Sequence, residues 1–176
     1  MHLPRSILAG TARVRILRGA FAGALAGLVG AYAMERFQAM WTETEKRARP
    51  KQTAGAAKDE PSTVKAAERL TETVFHSELP KEIKPAAGEA VHYGMGTLSG
   101  AIYGAVAEVL PFVRAGNGLL FGAVLWFVAD EYAVSALGLA NRPSAYPPST
   151  HAYALSSHLV YGFVTETVRR ILRLVP

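Results

Sequence analysis

The chain has no cysteine, which excludes disulfides and thiolate chemistry. It also lacks a Gly-rich phosphate loop, an HExxH pair and a nucleophile elbow, so no phosphate-transfer, zinc-protease or serine-hydrolase motif points to an enzyme. Charge is missing over long stretches. Gly19 to Met34 carries none, and Tyr93 to Ala107 has little polarity of any kind. A soluble helical bundle would show a polar stripe every three or four residues there. The net charge of +5 could suggest nucleic acid. However, the basic residues of the middle region are interleaved with acids, and the aromatics sit in the apolar segments, so no nucleic-acid partner is expected.

What remains is apolar, and it repeats. SGAIYGAVAEVL from Ser99 to Leu110 is echoed by SHLVYGFVTETV from Ser157 to Val168, with Ser, Tyr, Gly, Val and Glu in register. Each stretch closes an apolar segment that follows another one opening on paired glycines, Gly19/Gly23 and Gly118/Gly122. This predicts an all-α fold: a four-transmembrane-helix bundle made of two repeated helical hairpins in a single domain over 1–176. The expected spans are about 17–39, 90–110, 118–140 and 152–174. Each holds about 20 residues, enough at 1.5 Å per residue to cross a ~30 Å hydrocarbon core. In lipid every backbone amide must be satisfied within its own segment, hence helices.

Arginine predicts orientation. Arg5, Arg13, Arg15 and Arg18 precede the first span, Arg114 lies between the second and third, and Arg169, Arg170 and Arg173 close the fourth. All three places share one side of a four-span protein, which the positive-inside rule makes cytoplasmic. Lys46, Arg47, Arg49 and Lys51 on the other side oppose that assignment, offset in part by Glu43 and Glu45. Ala31-Tyr32-Ala33 before Met34 also permits reading the first span as a cleaved secretion signal. The match of Gly19–Ala24 to Gly118–Ala123 favours a retained helix.

The extramembrane loop, 42–89, is expected to open as a polar linker. Ser62 then caps a short amphipathic helix to about Leu79, with Val64, Ala67, Leu70, Val74 and Phe75 on one face and Pro80 and Pro85 ending it. It either packs over the span ends or lies on the membrane surface.

Glycines spaced by four make flat helix faces. Gly19, Gly23 and Gly27, then Gly96, Gly100 and Gly104, then Gly118 and Gly122 are the expected helix-packing residues, a glycine zipper in effect. They fit packing within the bundle or a homo-oligomer interface.

Ionisable residues inside spans are costly and therefore candidates for function. Depth arithmetic places Asp130 or Glu131 level with His158 near mid-membrane, and Glu35 level with His92 at the outer edge. These five are the candidate proton- or ion-handling groups. The alternative is a polar clasp holding helices together. Tyr93, Tyr103, Tyr132 and Tyr161 could add hydrogen bonds. Glu108 is expected near Arg114 or an N-terminal arginine, and Glu166 in helical ion pairs with Arg169 and Arg170. His151 and His158 are seven apart on one helix face and His92 could lie near His151, so a b-type haem held by two histidines on facing helices is a further reading. No cofactor, metal or catalytic residue is expected.

Ala107-Glu108-Val109-Leu110-Pro111, then Gly118-Leu119-Leu120-x-Gly122-Ala123, then His158-Leu159-Val160 with Glu166 and Arg169-Arg170, resemble the YagU-type family of small bacterial inner-membrane proteins of unassigned biochemical function. The likeness covers about 100–173. It implies a bacterial plasma-membrane location and brings no catalytic residues. The expected role is non-enzymatic support of membrane assembly or the envelope. The expected partners are the lipid bilayer, a second copy or another membrane protein. A small transporter or proton-linked conductance is the alternative, and a membrane redox or hydrolytic enzyme a weaker third.

Overall fold

The computed structural model describes residues 5–48 and 60–174, with side chains from residue 11 onward. Among these there are helices and turns and no strand. Helix α1 (Arg5–Ala48) is 44 residues long, about 66 Å at the helical rise. It runs past the expected span end near Ala39. The segment after Thr42, read as a linker because it is charged, is helical to Ala48. Glu43 pairs with Lys46 one turn on, Thr42 and Thr44 hydrogen-bond back to the carbonyls of Gln38 and Met40, and Trp41 packs between Phe37 and Tyr153. The remaining linker residues, 49–59, lie outside the described ones.

Helix α2 (Ser62–Phe75) starts on Pro61, whose carbonyl accepts from Val64 and Lys65, and no side chain caps it. The expected Ser62 cap is therefore not made. The helix also stops short of Leu79, because His76 turns left-handed at φ 53° and bonds back to Glu72. Val64 and Ala67 are buried, with Val64 seated on Gly88, whereas Leu70, Val74 and Phe75 stay exposed. Lys84 fastens α2 down by bonding Glu68 and Glu60, and Arg69 donates to the carbonyl of Leu137. The Glu68 and then the Glu60 bonds hold the Lys84 ammonium above the usual lysine range. Lys84→Met is expected to loosen α2 alone: hydrogen exchange over 64–75 should quicken several-fold while exchange in α1 stays unchanged.

Helix α3 (Lys84–Ala107) carries Pro85 in its first turn, so this proline opens a helix and does not end the preceding one. A 3-10 link, Pro111–Gly118, follows. Gly116, Asn117 and Gly118 have positive φ there, which reverses the chain. Helix α4 (Leu119–Trp126) continues through a π-helical stretch, Phe127–Ala133, and one last turn, Val134–Ala136. It is shorter than the expected span to Ala140, ending on left-handed Gly138. Helix α5 (Pro148–Leu174) completes the set.

Helix α1 packs between α3 and α5, and α4 lies against α5. The contacts are backbone to backbone. A Cβ on Gly23 would stand 2.9 Å from the Cα of Gly104, and one on Gly27 the same distance from the Cα of Gly100. Gly19 faces Gly104 and Glu108, and Gly96 faces Gly27 and Ala31. On the other side Gly118 and Gly122 meet Gly162 and His158. A small core of Ala31, Met34 and Tyr161 lies between, flanked by Tyr93, Phe121 and Leu125. Many apolar side chains point outward instead: Leu17, Phe21, Ile102, Phe127 and Val128 are all more than half exposed. Two stretches, Thr11–Ala48 and Pro111–Ala136, are helical, long and apolar enough to cross a membrane.

Candidate functional site

Two clusters of ionisable groups stand at different heights in the helix set. The first surrounds the π-helical stretch of α4. A π turn closes i→i+5 bonds and is wider than an α turn, so successive side chains diverge less around the axis. Asp130 and Glu131 thereby both reach α5. Asp130 Oδ2 lies 3.6 Å from His158 Nδ1, and that nitrogen donates to the Ala154 carbonyl at 3.0 Å, so the pair is a proximity of charge. Glu131 takes a different histidine. Its Oε1 is 2.5 Å from His151 Nδ1, while His151 Nε2 faces the Pro143 carbonyl at 3.2 Å. Each imidazole nitrogen of His151 thus meets an acceptor, an arrangement that suits the imidazolium, which has two donors.

Of the two acids expected level with His158, Asp130 is the one beside it and Glu131 turns to His151. In the sequence His151 suggests only a haem ligand. Its seven-residue spacing from His158 was the available signal, since two turns apart means one helix face. Tyr132, between these groups, is exposed and offers nothing to the cluster.

His151 sits one residue before the expected fourth span. The hydrogen bond that His151 donates to Glu131 lifts its pKa above the ordinary histidine value. A group raised on folding stabilises fully below its unfolded pKa, about 6.5, and loses that contribution as pH climbs through the folded value. As pH rises above about 6.5, the thermal midpoint of the protein should therefore fall more than that of Glu131→Gln. Parallel slopes for the two proteins would count against this pairing.

The corresponding pair in α1 and α3 is not formed. Glu35 is bonded by the Tyr93 hydroxyl and by Arg36, and His92 Nε2 sits 3.2 Å from the Ala31 carbonyl. Sharing a level did not bring Glu35 and His92 into a hydrogen bond, because nearer partners on each helix satisfy them.

The second cluster lies where α1 begins and α3 and α5 end. Glu166 has no exposed surface and Arg169 is 2 % exposed. Arg169 Nε and Nη2 donate to the two Glu166 oxygens at 2.8 and 3.1 Å, and Arg170 Nε adds a bond at 2.6 Å. Tyr103 of α3 donates to Glu166 Oε2 at 2.8 Å while stacked on Phe121 of α4. Glu108 accepts from both Nε and Nη2 of Arg173 and stands 3.5 Å from Arg169 Nη1 and 3.9 Å from Arg15. Arg114, an expected partner of Glu108, instead donates to the Pro111 carbonyl. The second tyrosine of the repeated stretches crosses in the opposite direction. Tyr161 of α5 donates to the Gly96 carbonyl at 2.7 Å and shares a 2.9 Å bond with Ser99 of α3.

The two clusters can do different chemistry. The Glu166–Arg169–Glu108 chain is largely buried, paired throughout and links α5 to the end of α3, so it fixes geometry. The Asp130–His158 and Glu131–His151 pairs each set a carboxylate against an imidazole on a neighbouring helix, the residue types that a proton path would use. Among the described residues no three His, Asp or Glu side chains converge on one point that could hold a metal ion.

No curated protein and no solved structure matches the chain. Residues 51–167, about two thirds of its length, match a family described as "Protein of unknown function (DUF1440)". That match takes in α2, which lies outside the stretch that carries the YagU-type resemblance, and leaves out α1. The chain belongs to the DUF1440 family of proteins of unknown function.

Proposed function

We propose that this is a multi-pass integral protein of the bacterial inner membrane, with four spans in two repeated hairpins, termini in the cytoplasm and a non-enzymatic role in supporting membrane assembly or the envelope. The observation that carries the reading is the inverted distribution of side chains. Small residues and paired charges fill the contacts, while Leu17, Phe21, Ile102, Phe127 and Val128 face outward. Water would penalise that surface and lipid would solvate it. The inward ionisable groups serve as clasps, because Glu35, Glu108, Glu131, Glu166 and Arg169 each reach a partner on another helix or one turn away. The glycine faces are largely occupied inside one chain, which leaves a homo-oligomer to form through other surfaces.

One observation favours a second reading, a small proton-linked conductance. The only π-helical stretch among the described residues coincides with Asp130 and Glu131, and such turns are frequent at functional sites. The experiment is pH-driven ion flux in liposomes holding the purified protein, beside an Asp130→Asn/Glu131→Gln double variant. The support role predicts flux equal to empty liposomes for both proteins, with the variant less stable. Flux that the folded variant loses would overturn the support role and establish the conductance.

A further inference from the structure

The second cluster holds more positive charge than it uses. Seven arginines stand at this end, from Arg13 to Arg18 on α1, Arg114 on the link and Arg169 to Arg173 on α5. Among the described side chains only Glu108 and Glu166 oppose them there. Both acids are consumed inside the bundle: their side chains are 11 % and 0 % exposed. The cations on the rim are open. The Arg15 and Arg170 side chains are 64 % and 52 % exposed. Arg170 spends only Nε on Glu166, so its two terminal nitrogens make no hydrogen bond among the described residues. Arg15 gives one Nη2 bond to the Glu108 carbonyl. The buried Glu166–Arg169–Glu108 chain ties these rim arginines together at fixed positions.

The surroundings say what kind of anion fits. Exposed apolar side chains stand directly beside the open arginines: Val14 and Leu17 flank Arg15, and Ile171 and Leu174 flank Arg170 and Arg173. A soluble acidic ligand would gain nothing from them. A phosphodiester with acyl chains attached would meet guanidinium forks at its headgroup and apolar helix surface below. We propose that this basic end binds the phosphate headgroup of an anionic phospholipid, with Arg15 and Arg170 as the principal donors. The proposal rests on the membrane reading above.

The test begins with fractionation of expressing cells, because recovery of the chain in the aqueous fraction would overturn the membrane reading and this proposal together. Membrane-extracted protein is then delipidated in detergent, and its retention of dioleoylphosphatidylglycerol and dioleoylphosphatidylcholine is measured by native mass spectrometry. The protein should retain phosphatidylglycerol preferentially. Arg15→Gln/Arg170→Gln should weaken that retention about fivefold for each arginine removed, because each basic side chain near a lipid surface contributes a comparable increment. Lys81→Gln/Arg142→Gln removes the same charge at exposed positions toward the other end and should leave retention unchanged. Equal retention of the two lipids would overturn the proposal, as would equal losses in the two double variants. Displacement of the lipid by millimolar inorganic phosphate would assign the arginines to a free anion instead. Should the arginine variant fail to fold, the unaltered protein still decides: phosphatidylglycerol retention must fall as salt rises, and salt-independent retention would refute the site.

Discussion

Glu166→Gln is expected to lower the unfolding free energy by about 3 kcal/mol, the low end of the cost of removing one member of a buried ion pair. The reason is what it leaves behind. Arg169 is 2 % exposed and gives Glu166 two hydrogen bonds. Without the carboxylate its charge keeps only Glu108, 3.5 Å away. Tyr103 and Arg170 lose a charged acceptor in the same step. Because Tyr103 belongs to α3 and Glu166 to α5, the loss is felt across helices. Glu43→Gln is the comparison. That carboxylate is 59 % exposed and pairs with Lys46 on its own helix, so its loss should move stability by less than about 0.5 kcal/mol. Unfolding of both variants in mixed micelles, followed by circular dichroism, reads the difference. Equal stabilities would mean that the inner cluster is solvated.

Gly100→Ala is the second large effect. The new methyl would stand 2.7 Å from the Cα of Gly27, with the Gly23 carbonyl closer still. Backbone cannot swing aside as a side chain can, so α1 and α3 must separate, at a cost of about 1–3 kcal/mol. Gly94 lies on the same helix with nothing within 4 Å of its Cβ position. Gly94→Ala should therefore stabilise by about 0.5–1 kcal/mol, the ordinary gain of alanine over glycine inside a helix. Opposite signs from one substitution at two positions six residues apart would tie the effect to the α1–α3 contact. Two stabilising results would mean that the helices do not touch there.

The glycine contacts were legible in the sequence because helical period alone sets them. Residues four apart share a face, and Gly19, Gly23 and Gly27 indeed oppose Gly104, Gly100 and Gly96 in antiparallel order. Asp130 and His158 were legible by depth, since rise per residue is fixed. The partner of Glu131 was not. A π turn has no residue signature, and without it adjacent acids point about 100° apart. Depth also misled at Glu35 and His92. Height says which groups share a level and nothing about rotation around each helix, and Tyr93, Arg36 and the Ala31 carbonyl were nearer. The extension of α1 to Ala48 was hidden by its charges. Glu, Lys and Arg are good helix formers, and a helix leaving an apolar layer keeps them solvated without changing its backbone. The crossing bonds from Tyr103 to Glu166 and from Tyr161 to Ser99 depend on which helix neighbours which. Two similar stretches do not state that.

The most direct test of the four-span arrangement is the sidedness of its links. The chain has no cysteine, so single introduced cysteines report without background. Ala115→Cys and Leu174→Cys mark the arginine-rich end, and Ser77→Cys and Ser144→Cys mark the opposite one. With a membrane-impermeant maleimide applied to intact spheroplasts, Ser77→Cys and Ser144→Cys should label at once, and Ala115→Cys and Leu174→Cys only after lysis. Labelling of all four positions on intact cells, or of Ala115→Cys together with Ser144→Cys on one side, would contradict it.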